Sequence, residues 1–89
     1  MNEPLKDARE LTFGEKAVGL TFNPSSNPDV QKIKEQFATV IDTLSQLRGD
    51  GPDAPSVDPG PEVTRMLSVA ITEAQTAQMW AVKAATWNS

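Results

Sequence analysis

Between residues 28 and 48, apolar side chains return at Val30, Ile33, Phe37, Val40, Ile41, Leu44 and Leu47. The steps are mostly three and four, which predicts one stripe along an amphipathic helix. Its ends are marked as well: Asn27 is a good N-cap, Pro28 suits the first helical position, and Asp29 favours the helix dipole. Arg48 suits the C-terminal turn, and Gly49 is a stop. A second helix is predicted over residues 61–87, with Pro61 near its start and Glu62 behind it. One stripe runs through Val63, Met66, Leu67, Ala70, Ala74, Ala77, Ala81, Ala84 and Ala85, and is expected to face the first helix. Val69, Thr76, Trp80 and Trp87 form another line, and Met79 and Val82 point elsewhere again.

Within 61–87 the only charged residues are Glu62, Arg65, Glu73 and Lys83. A two-helix hairpin covers one stripe of such a helix and leaves the others bare. A lone hairpin of this size is also thin in core. Both points predict a homo-oligomer in which the second helix packs on other subunits. The expected fold is therefore all-α: an antiparallel two-helix hairpin with a short N-terminal helical segment, in one domain.

The remaining segments are punctuated differently. Residues 1–10 are polar and expected to be flexible, with at most a short helix from Pro4 to Glu10. The connector 49–61, GDGPDAPSVDPGP, has three Gly and four Pro in thirteen residues and cannot hold regular structure. It carries Asp50, Asp53 and Asp58 with no base, and reads as a solvated linker. The segment GEKAVGLTFNPSSNP, 14–28, is too apolar for a tail and too broken by Gly and Pro for a long helix. Within 11–27, a helical turn is expected over Glu15–Gly19, with Gly19 as its stop.

Composition narrows the chemistry. The chain has 89 residues, no His and no Cys. It therefore lacks the usual neutral-pH base, the commonest metal ligand, and thiolate or disulfide chemistry. No nucleophile stands beside a base, so no catalytic residue, metal site or cofactor is expected. A net charge of −4 argues against binding nucleic acid polymers. No apolar run approaches the ~20 residues of a membrane span, and the N-terminus lacks the apolar centre of a signal peptide. A soluble, cytoplasmic protein without membrane contact is expected.

The candidate chemistry sits in LTFNPSSNP. Asn23, Ser25, Ser26 and Asn27 crowd against a helix start, where backbone amides and the dipole receive anions. One reading is a ligand cradle: the free amides of 25–30 on phosphate and Phe22 stacked on a base. The other is an Asx/Ser turn with a cap, Phe22 folding back on Val30 or Ile33 as a hydrophobic staple. Lys16 is either a phosphate contact or a solvated partner of Glu15 or Glu10, and Phe13 is either core or a stacking surface. Arg65 stands in a first helical turn, against the dipole, which suggests an anion or a partner carboxylate such as Asp42 or an acid of the connector. Trp80, Lys83 and Trp87 lie near one face. Their spacing fits a packed helix seam better than a base platform, so they are read as an oligomer interface.

Two blocks, LTFGEKAVGLTFNPSSNPDVQKIKEQFATVIDTL (11–44) and SVAITEAQTAQMWAVKAATW (68–87), resemble the hairpin domain shared by phage anti-CBASS and anti-Thoeris sponge proteins. The larger anti-Thoeris members carry an extra N-terminal portion, so the likeness favours the compact anti-CBASS type. The resemblance implies a homohexamer that binds cyclic dinucleotides and cyclic trinucleotides between subunits without cleaving them. It also implies ligand contacts in the N-terminal segment and around the first turn of each helix, here Lys16, Phe22, Asn23, Ser25, Ser26 and Arg65. The alternative is a small helical interaction module that binds a protein partner through its apolar second helix. An enzyme working with Asp or Glu has little support.

Overall fold

A computed structural model describes residues 10–51 and 57–88. Three helices follow one another: α1 (Phe13–Val18), α2 (Pro28–Arg48) and α3 (Pro61–Ala85). No strand occurs among the described residues. The helix expected over Pro4–Glu10 falls almost entirely outside them. α2 and α3 run antiparallel, because Arg48 at the end of α2 donates to Ser68 near the start of α3, at 3.0 Å. At the other end, Val82 and Thr86 approach Val30.

Local signals set the boundaries. Thr12 caps α1 in a reciprocal box: its hydroxyl accepts from the Glu15 amide, and the Glu15 carboxylate accepts from the Thr12 amide. α1 begins two residues before the expected turn and stops where predicted, at Gly19, whose φ of 64° is left-handed. Asn27 caps α2 by accepting from the amides of Asp29 and Val30, with Pro28 in the first turn. α3 ends at Ala85, two residues short of the expected 87, and the Thr86 hydroxyl donates back to the Val82 carbonyl.

α1 is fastened to α2 by one carboxylate. Asp42 accepts from the Gly14 amide at 2.7 Å and from the Thr12 hydroxyl at 2.7 Å. Gly14 permits this approach: a Cβ there would lie 2.2 Å from the Ala38 carbonyl oxygen. The core is small, with Val18, Ala38, Ile41 and Ile71 at its centre and Phe37, Leu44 and Ala74 packed around them.

The predicted helix faces need correction. On α2 the buried line is Val30, Lys34, Ala38, Ile41 and Ser45, while Val40 and Leu47 point outward. On α3 the buried residues are Ile71 and Gln78, both outside the predicted stripe, and Val63, Met66, Ala77 and Ala84 are exposed. At ~100° per residue, the contact line of α3 is rotated roughly 80° from the predicted one. The physical reason on α3 is size: Ile71 enters the core beside Ile41 and removes more apolar surface from water than Ala77 or Ala84, the small residues of the predicted stripe that are left outside.

Candidate ligand-binding site

The Gly19–Asn27 turn folds largely on itself. The Asn23 side chain donates to the Asn27 carbonyl at 3.0 Å and accepts from the Asn27 amide at 3.1 Å. The Ser26 amide donates to the Asn23 carbonyl, and Ser26 takes a left-handed φ of 52°. Of the amides expected to cradle phosphate, those of Ser26, Asn27, Asp29 and Val30 are thus already engaged. The open amide cradle is corrected to a closed, self-bonded loop. The donors that face outward are side chains: Ser25 and Ser26 are both exposed.

Phe22 is not folded back as a staple. It is 71 % exposed, on the rim of a cleft of about 260 Å³ shared with Pro24, Ser25, Val30 and Val82. Lys34 also lines that cleft. Only 6 % of this lysine is exposed. Its Nζ donates to the Gly19 carbonyl at 2.9 Å and the Phe22 carbonyl at 2.6 Å, and lies 5.5 Å from the Phe22 ring centroid. Sequence reasoning missed Lys34 because lysines are almost always solvated. The available signal was its position, four residues after Val30 and four before Ala38, inside the apolar arc.

The other predicted residues are placed as follows. Lys16 is exposed on α1, and Glu15 is turned to the Thr12 amide. Arg65 lies near the start of α3, at the opposite end of the hairpin from Phe22. Since α2 has 21 residues at a rise of ~1.5 Å each, the two ends are far apart. Arg65 is clasped by Glu62, at 3.3 Å from Nε. Asp42, one of the carboxylates that could have answered Arg65, holds Thr12 and Gly14 instead, and the carboxylate that does answer it is Glu62. One chain therefore gathers Phe22, Asn23 and Ser25 around a cleft, with Ser26 on the same loop, and leaves Arg65 outside it.

Trp80 and Trp87 are 66 % and 72 % exposed. They bracket Lys83, whose Nζ lies 5.7 Å and 6.0 Å from the two indole centroids. Phe13, expected in the core or as a stacking surface, is 47 % exposed, with the Arg48 guanidinium 5.9 Å from its ring.

The model of one family, described as the Acb2/Tad1 hairpin domain, matches residues 15–86. The chain belongs to the Acb2/Tad1 hairpin family. This is the anti-CBASS and anti-Thoeris sponge family, whose members sequester cyclic oligonucleotide signals in the service of phage anti-defence. They are binding proteins of the sponge type. The match spans all of α2 and α3 and the whole Phe22–Asn27 loop, and begins inside α1. No curated protein and no solved structure matches the chain.

Proposed function

We propose that this protein is an anti-CBASS sponge that binds cyclic dinucleotides and cyclic trinucleotides in the host cytoplasm and releases them chemically unchanged. The observation that carries this reading is the exposed Phe22 ring at the mouth of the Lys34 cleft, on the loop that opens α2. An aromatic face stacks on a base, and serine hydroxyls and lysines meet phosphate. Lys16, Phe22, Ser25 and Ser26 are assigned to ligand contact, and Asn23 to the shape of the loop that presents them. Arg65 reaches a ligand at Phe22 only from another subunit, which fits a homohexamer with pockets between chains.

The energetics are attainable. A nanomolar dissociation constant corresponds to about −12 kcal/mol. Two bases stacked at about 1–3 kcal/mol each, with charge-assisted contacts to two phosphates, supply much of that when two subunits contribute. A chain without His or Cys is suited to holding the ligand rather than cleaving it.

Calorimetry with a panel of cyclic di- and trinucleotides, followed by recovery of the ligand from heated protein, tests the proposal. Stoichiometric binding and intact ligand are expected; no binding by any member, or degraded ligand, overturns it. A second reading, a protein-docking module, is favoured by the exposed Met79, Trp80 and Trp87 of α3. A monomer without nucleotide affinity would support that one.

A further inference from the structure

The geometry points to Lys34 as the positioning residue of this site, holding the Gly19–Phe22 turn in the shape that offers the Phe22 ring to a ligand. The inference rests on the reading of Phe22 as a stacking surface. It starts from an anomaly of burial. A lysine is rarely withdrawn from water unless its charge answers to something. Here the partners are two carbonyls and an aromatic face rather than a carboxylate.

Those two carbonyls belong to the two ends of one turn. The Phe22 amide donates to the Gly19 carbonyl at 2.9 Å, closing the turn. Lys34 then donates to that same Gly19 oxygen and to the Phe22 oxygen. The ammonium therefore bolts both ends of the turn to the second turn of α2. The consequence falls on Phe22. Its ring is mostly exposed and has little packing to hold it, so its orientation depends on its backbone and on the ammonium beside its face. A ring fixed before the ligand arrives avoids an ordering penalty at binding.

The test compares Lys34→Met, which keeps the stem and removes the ammonium, with Lys34→Arg, which keeps donors and charge. The first readout is cleavage by chymotrypsin after Phe22, located by mass spectrometry, and it needs no ligand. The second is calorimetric affinity for whichever cyclic dinucleotide binds the wild-type chain most tightly. In K34M, cleavage after Phe22 is expected to rise and affinity to fall about tenfold or more, with helix content retained. K34R is expected to recover both. Adding K34M to Phe22→Ala is expected to weaken binding no further than Phe22→Ala alone, because the lysine acts through the ring.

Wild-type affinity in K34M, or full additivity with Phe22→Ala, overturns the role. So does a K34R protein whose loop is protected but whose affinity is lost, since the lysine would then be a direct ligand contact. Should K34M fail to fold, K34R decides alone: protection and affinity must move together, and a split between them overturns the inference. A wild-type chain that binds no cyclic nucleotide removes the sponge reading instead, while the cleavage comparison still decides whether Lys34 holds the turn.

Discussion

Phe22 and Asp50 show how differently two exposed side chains are used. Truncation of Phe22 removes little packing, so Phe22→Ala is expected to change stability by less than about 0.5 kcal/mol. The same change should weaken a cyclic nucleotide complex by about 1–3 kcal/mol for each base lost from the ring. Paired thermal unfolding and calorimetry separate the two effects, and a protein that unfolds without a distinct binding defect would restore the staple reading. Asp50 is tied at the far end of the hairpin, to Arg48 at 2.7 Å and to Ser45 at 2.8 Å. The Arg48 hydrogen bond, then that of Ser45, holds its carboxyl below the usual carboxylate range. A carboxylate depressed in the folded state stabilises above its unfolded pKa, and the gain is lost as pH falls through the folded value. Asp50→Asn should therefore lower the melting temperature slightly at pH 7, and the difference from wild type should vanish in strong acid.

The elements were legible where their signals are local. Asn27, Pro28, Gly19 and Gly49 each mark a helix boundary by their own chemistry, and each stands where that chemistry predicts. Which face turns inward was not legible, because neighbours decide it. On α3 the expectation followed a stripe made mostly of alanine, whereas the contact buries Ile71 and Gln78 there, against Ala38, Ile41 and Ser45 on α2. The candidate site was half legible for the same reason. Phe22 and the serines stood out as candidates from the loop alone, whereas Lys34 carried only its place in the apolar arc and stands out once two carbonyls meet it. The α1–α2 contact gives a test at this scale. Gly14→Ala sets a methyl against the Ala38 backbone and is expected to cost about 1–3 kcal/mol, measured by denaturant unfolding. A neutral result would mean that α1 is not docked through Gly14.

The molecule as a whole buries little. Val18, Val30, Ala38, Ile41 and Ile71 are its buried apolar residues among those described, while Met79, Trp80 and Trp87 face outward. No described helix is long and apolar enough to cross a membrane. Assembly is the proposed cover. Trp80→Ala, at a side chain 66 % exposed in the single chain, is expected to shift the native mass toward smaller species and, because the proposed pockets lie between chains, to weaken nucleotide binding with it. An unchanged native mass would remove Trp80 from the seam. If assembly supplies part of the stability, the melting temperature should also rise with protein concentration.

Asn27 belongs at once to the loop and to the helix: its side chain caps α2, while its backbone closes the turn against Asn23. The proposed recognition loop and the cap of α2 therefore share a residue. Asn23 and Asn27 cannot be varied to fit a new signal without loosening the start of α2. Phe22 and Ser25 are exposed and freer to vary, whereas the left-handed φ of Ser26 favours Gly, Asn or Asp as its replacements. Adaptation of the proposed site to a different nucleotide has a narrow set of permitted positions, and a library randomised across the loop should return its functional variants with both asparagines kept.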